Sequence, residues 1–278
     1  MPPRCVVCLC VRDVERFTRS VFSNILKLRD FFDIISVTYF LDPSNDKTLD
    51  VITEIKSECS NDEGLPLVEL IENTSELHHS RTMRIAHGRN SLFRFVEENY
   101  ASTDYVIMID GDNISSGHMD PSVIGKYLSM SVWDALSFNR EDYYDIWALC
   151  YEPYIHNMWS FHEREHSLEV LKLMKDDISN RLSKLGDGEL LECYSAFNGF
   201  AIYRFEKFHG CVYDGQRQTF FPRGRIDEYA SFLEDEHGLG EISVDFGKSS
   251  NCEHVAFHMQ AIRENNARIR ISRDILFR

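Results

Sequence analysis

The chain has 278 residues, 43% hydrophobic and 27% charged, enough to bury the core of one large domain or two small ones. Its net charge of −15 argues against a nucleic-acid partner, since phosphate backbones are held by Lys and Arg, but it leaves room for a local basic pocket around one nucleotide. No apolar run approaches the roughly 18 residues of a membrane span and Met1-Pro2-Pro3-Arg4 shows no signal-peptide pattern, so a soluble, cytoplasmic protein is expected.

Residues 5–11 are apolar throughout and predict a first buried strand. It carries Cys5, Cys8 and Cys10, three of eight cysteines. Cys5-x-x-Cys8 has a zinc-knuckle spacing, but no second pair follows, so buried thiols in a reducing compartment are the expectation. Val14, Phe17, Val21, Phe22, Ile25 and Leu28 recur at helical spacing over residues 14–28. A second strand follows at 33–41, then a turn-rich loop, helical spacing at 49–55, a short strand at 67–71 and a long helix at 80–98. The fourth strand, 105–109, is short, β-branched and apolar at every position, as a strand buried on both faces must be. It runs into Asp110-Gly111-Asp112. The first 112 residues thus alternate strand and helix, which implies a parallel, doubly wound sheet with ligands at the strand ends. Two carboxylates there suit a hard divalent cation; a simple polar turn is the alternative.

Asp120-Pro121 predicts a helix start, with the helix running to about residue 130. A fifth strand is expected at 135–138, and strand plus irregular surface over 139–161. An amphipathic helix at 168–185 closes on Gly186 and Gly188. Residues 194–203 read as a loop entering a strand, and 209–250 as a long loop or lid. A helix over 255–262 starts from 251–254, and a last strand occupies 267–271.

The order of these motifs resembles the GT-A fold of nucleotide-sugar glycosyltransferases. The resemblance rests on Arg84-Ile85-Ala86-His87-Gly88-Arg89-Asn90 ahead of Asp110-Gly111-Asp112, on residues 143–149 and 197–201, and on Cys252-Glu253-His254. The middle segments are similar to those of fungal capsule mannosyltransferases; compact enzymes of this kind are also encoded by large algal viruses. The resemblance implies an α/β fold, a GT-A-type Rossmann-like doubly wound mixed sheet in a single domain. Residues 1–112 would form the nucleotide-sugar half and 113–278 a loop-rich acceptor half.

What it implies for the site is specific. Asp112 would bind Mn²⁺ or Mg²⁺ directly, and Asp110 would touch ribose or metal-bound water. His254 and His258, four residues apart on one helix face, are candidates for a further metal ligand or for hydrogen-bonded helix histidines. Val11, Arg12 and Asp13 lie at the end of the first strand, where a base or ribose is met. Arg84 and Arg89 precede the metal strand, and Arg89 is the better donor candidate; packing against Asp110 or Asp112 is the competing account. Gly111 and the pair Asn198-Gly199 would let backbone approach the donor, with a plain β-turn as the alternative for the latter. Asp145 and Trp147 are candidates for sugar contacts, although Trp147 equally suits a core. If the reaction inverts the anomeric centre, Glu253 at a helix N-terminus is the expected base, ahead of Asp227, Glu228, Asp235 and Asp245, with a helix-capping carboxylate as the alternative reading of Glu253. The partners implied are a nucleotide-sugar donor and a glycan or glycoprotein acceptor. Competing readings are a sugar-phosphate nucleotidyltransferase, against which residues 11–15 lack a glycine, and a non-catalytic glycan-binding protein.

Overall fold

The computed structural model describes residues 2–160, 167–216, 218, 220–238 and 250–278. In chain order these form β1 (Arg4–Val11), α1 (Glu15–Lys27), β2 (Asp33–Leu41), α2 (Thr48–Ser60), β3 (Leu67–Glu72), α3 (Arg81–Asn99), β4 (Tyr105–Ile109), the single turn α4 (Asn113–Ser116) and α5 (Ser122–Leu128). Then come β5 (Ala135–Asn139), α6 (Ser167–Lys184), β6 (Leu190–Cys193), β7 (Phe200–Arg204), the short α7 (Phe205–Phe208), α8 (Arg223–His237), α9 (Glu253–Asn265) and β8 (Ile269–Ile275).

One eight-stranded sheet runs through both halves of the chain in the order β3-β2-β1-β4-β7-β5-β8-β6. The four strands β3, β2, β1 and β4 pair in parallel, β7 inserts antiparallel between β4 and β5, and β6 is an antiparallel edge on β8. This is the doubly wound mixed α/β sheet expected from the sequence. From β1 the chain winds outward through β2 to β3, then crosses back to β4 on the other side. The β1/β4 boundary is therefore the topological switch point, where strand ends leave a crevice.

Side-chain alternation splits β1 between two apolar layers. Cys5, Val7, Leu9 and Val11 face a layer with Val21 and Ile25 of α1, Ile52 of α2 and Tyr127 of α5. Val6 and Cys8 face the opposite layer, with Leu92 and Phe93 of α3, Met174 of α6, Leu233 of α8 and Phe257 of α9. Cys5 and Cys8 thus point to opposite faces and cannot share a metal. All eight cysteines are free thiols. No helix among the described residues is long and apolar enough to cross a membrane.

Two expectations need correction. Past the end of β5, residues 140–160 form no further strand, but neither are they all surface: Tyr143, Ile146, Leu149, Tyr151, Tyr154 and Met158 are buried in the α3-side layer. The segment read as a lid contains α8, whose Ile226, Tyr229 and Leu233 make one buried helical stripe. Strand β6 was not foreseen, because it is four residues long and lies on an edge, with Cys193 alone among them buried.

Candidate active site

The Asp-Gly-Asp turn sits where β4 ends beside β1. A Cβ on Gly111 would overlap Val11 Cγ1, so only glycine lets the turn lie flat against β1. Asp112 caps α4, its Oδ1 accepting the Ile114 amide at 3.0 Å. The antiparallel β7 starts beside the end of β4, and the Asp110 amide donates to the Gly199 carbonyl at 3.0 Å. Asn198 and Gly199 both have positive φ, 55° and 84°. They are buried, and Asn198 Nδ2 donates to the Phe138 carbonyl at 2.9 Å. Their role is a correction to the sequence expectation: this turn braces the Asp-Gly-Asp loop from behind and lines neither cavity described below.

Arg89 is the hub. It lies on α3, 6% exposed, because Gly88 and Ala86 bring that helix close to β1 and β2. Its guanidinium reaches Asp110 Oδ1 at 3.3 Å, pairs with Glu253 and contacts His254 Nε2, while stacking over Phe197 at 4.7 Å. Asp110 Oδ2 accepts from the Tyr144 hydroxyl at 3.0 Å. Arg140 approaches from the other side, donating to the Ile114 and Asn198 carbonyls at 2.8 and 3.0 Å. Neither Tyr144 nor Arg140 was singled out from sequence. Their signal was their position just past β5, at the same sheet edge as Asp110.

Two cavities open here and share the wall made by Arg81, Ile85, Arg89 and Asp110. The first, about 330 Å³, lies at the switch point and is lined by Val11, Arg12, Asp42, Arg84, Gly111 and Asp112. The second, about 420 Å³, is lined by Tyr144, Asp145, Trp147, Trp159, Phe197 and Glu253. Asp42, at the end of β2, was missed by sequence reasoning, although the strand-end logic that selected Asp110 applies to it equally. Asp13 turns away from the first cavity: with φ of 52° it accepts the Asn45 amide at 2.6 Å and ties the β1–α1 loop to the β2–α2 loop.

The electrostatics follow from burial. Burial and the Asp110 charge hold the Asp112 carboxyl above its ordinary range. The same two causes push Asp145 up to about 7; its oxygens accept the Ala148 and Asn198 amides at 3.2 Å each. Glu253 is 4% exposed. Burial raises its carboxyl, and Arg89 only partly offsets this. The helix N-terminus therefore does not dominate, contrary to the sequence expectation. Asp110 and Asp112 thus stand close enough for each to disfavour the other's charge, a repulsion that a divalent cation between them would relieve.

The histidines also depart from expectation. His258 is fully buried, with Nδ1 on Ser195 Oγ at 2.9 Å and Nε2 on the Tyr203 hydroxyl at 3.1 Å. His254 stacks on Phe197 at 4.0 Å, with Arg89 between it and Asp110. Burial first, and the Arg89 charge second, keep both rings neutral, His258 falling to about 3. They serve as packed, hydrogen-bonded core groups. Among the described residues no three His, Cys, Asp or Glu side chains converge on a metal position. Asp110 and Asp112 alone still fit Mg²⁺ or Mn²⁺ in a phosphate site, where one or two carboxylates, water and substrate oxygens complete the shell. Asp227, Glu228 and Asp235 lie exposed on α8 and line neither cavity; Asp245 falls outside the described residues.

No protein-family description matches the sequence, and no curated protein does. Solved structures show a distant likeness. The mannosyltransferase PcManGT from Pyrobaculum calidifontis, in complex with GDP-Man and Mn²⁺, is 17% identical over 51% of this chain and 36% of its own, with a TM-score of 0.37. TarS 1-349 from S. aureus, in complex with UDP-GlcNAc, is 12% identical over 99% of this chain and 57% of its own, with a TM-score of 0.46. Glucosyl-3-phosphoglycerate synthase from Mycobacterium tuberculosis, in complex with Mn²⁺, UDP and phosphoglyceric acid, is 14% identical over 86% of this chain and 66% of its own, with a TM-score of 0.40. The chain spans less than two thirds of the length of each. Likeness at these levels assigns no activity to it.

Proposed function

We propose that this protein is a metal-dependent glycosyltransferase that moves a sugar from a nucleoside-diphosphate sugar to a glycan or glycoprotein acceptor, with inversion. The observation that carries the reading is the pair of adjoining cavities meeting at Asp110 and Arg89. A group-transfer enzyme with two substrates needs such a junction, with the leaving group on one side and the attacking hydroxyl on the other.

In this reading the switch-point cavity takes the nucleotide. Arg12, Arg81 and Arg84 supply positive charge for the diphosphate, and Asp42 offers a carboxylate to a base N–H. Asp110 and Asp112 would hold the divalent ion, which when bound neutralises charge building on the departing diphosphate. Glu253 in the second cavity takes the proton of the acceptor hydroxyl as its oxygen attacks the anomeric carbon and the bond to the β-phosphate breaks. A carboxylate lifted by burial is a stronger base than one in water. Arg89 orients Glu253 and balances its charge.

A UDP-linked donor is favoured and GDP-mannose is the second choice. The test is a screen of UDP-, GDP- and dTDP-sugars with Mn²⁺ or Mg²⁺, read as release of nucleoside diphosphate. One donor hydrolysed well above the others supports the reading. Pyrophosphate release from a sugar phosphate and a nucleoside triphosphate would instead make the protein a nucleotidyltransferase.

A further inference from the structure

The second cavity also has the character of a particular acceptor. Trp147 and Trp159 stand in its wall with ring centroids 5.1 Å apart and planes inclined at 59°, forming an aromatic corner. The corner is tied in place: Asn157 Nδ2 donates to the Trp147 carbonyl at 2.5 Å and to Asn251 Oδ1 at 2.8 Å, linking this irregular segment to the residue two before Glu253. Asp145 and Glu253 line the same cavity. Aromatic faces and carboxylates in one cavity suit a sugar ring, whose C–H face packs on indole while its hydroxyls donate to the acids.

Charge narrows the class further. Among the described residues the cavity's carboxyls are Asp110, Asp145 and Glu253, against the guanidiniums of Arg81 and Arg89. Arg89 is already engaged by two of those acids, and Arg81 stands in the wall shared with the first cavity. Among the described residues the lining holds one more carboxyl than guanidinium, so an acceptor bearing a phosphate would gain no net attraction there. We infer that the acceptor is a neutral glycan, its terminal sugar stacked in the Trp147–Trp159 corner with its hydroxyl toward Glu253. This rests on the transferase reading for the direction of the chemistry but not for the binding itself.

The chain offers a direct readout. It has three tryptophans, and the third, Trp133, is fully buried in the opposite layer against Tyr105 and Arg204. Tryptophan emission that changes with an acceptor therefore reports on the corner. The full chain is titrated with neutral methyl glycosides and disaccharides of glucose, galactose, mannose, xylose, fucose and rhamnose. Glucose 6-phosphate and 3-phosphoglycerate serve as anionic counterparts. UDP–Mn²⁺ affinity is measured separately on every sample. The expected result is a saturable emission change with at least one neutral glycoside, weakened tenfold or more in both Trp147→Phe and Trp159→Ala, with UDP–Mn²⁺ affinity within about twofold of the parent. The proposal is overturned if no neutral glycoside gives a saturable change, if the anionic probes bind more tightly, or if neither substitution weakens the glycoside. If a glycoside binds through the corner but UDP–Mn²⁺ does not bind the parent chain, the donor assignment falls and the glycan site stands.

Discussion

At the scale of single residues, the carboxylates divide by what burial does to them. Asp112 both caps α4 and faces Asp110, so Asp112→Asn separates the two roles: asparagine caps equally well and carries no charge. The variant should be no more than about 0.5 kcal/mol less stable than the parent in urea, because the cap is kept and the repulsion from Asp110 is removed, yet lose tenfold or more in Mn²⁺-dependent UDP affinity. Unchanged affinity would remove Asp112 from the metal site. Glu253→Gln should abolish transfer and leave UDP binding intact; continued transfer would point to another base, for which Asp145 in the same cavity is the candidate. Asp145 also sets a pH dependence of stability. Its folded carboxyl titrates near 7, whereas an unfolded aspartate titrates near ~3.9. Between those values the folded chain holds the extra proton, so this group makes stability fall as pH rises. Asp145→Asn should flatten that part of the urea-unfolding profile; an identical slope in the variant would contradict the assignment. Sequence exposed Asp110, Asp112, Arg89 and Glu253 because each sits at a strand end or in a short motif. It offered Arg89 packed against Asp110 or Asp112 as one account, but did not reveal that the same guanidinium also binds Glu253, since a contact 164 residues apart in the chain leaves no local pattern.

At the scale of elements, glycine decides how closely the site packs. Gly111→Ala would drive a methyl group into Val11, and overpacking of this kind costs about 1–3 kcal/mol. Adding Val11→Ala should recover part of the loss in urea unfolding; no recovery would place the strain elsewhere. The regular elements were legible because hydrophobic period and burial agree in them: β1, β2, β4 and α3 lie within a residue or two of expectation. Helix α8 was hidden by Gly and Arg residues at its start, although its Ile226-Tyr229-Leu233 stripe carried the signal. The segment 140–160 has no period to read, because it packs as irregular chain, tied by isolated bridges such as the reciprocal pair of bonds between Cys150 and Ser195. The histidines of α9 misled for a related reason. A four-residue spacing places two rings on one face, but only the packing of that face against Tyr203 and Phe197 says it is the inward one.

At the scale of the molecule, the function proposed here depends on strand order more than on any one motif. Winding β1 to β3 outward and β4 back opens the crevice for a nucleotide, and inserting β7 antiparallel beside β4 supplies the turn that props the carboxylates. The irregular second half then encloses the acceptor side of the same edge. Sequence could announce the parallel half, whose strands are continuous apolar runs; it could not announce that β7 pairs with both β4 and β5, because pairing leaves no trace in composition. The central claim is that the crevice at the β1/β4 switch point binds a nucleoside diphosphate through a divalent ion held by Asp110 and Asp112. Calorimetric titration of UDP into the full chain, with and without Mn²⁺, tests it most directly. The account predicts saturable binding that strengthens at least tenfold when Mn²⁺ is present, with GDP in parallel deciding the base. Absence of binding by either nucleotide, or binding indifferent to the metal, would contradict it.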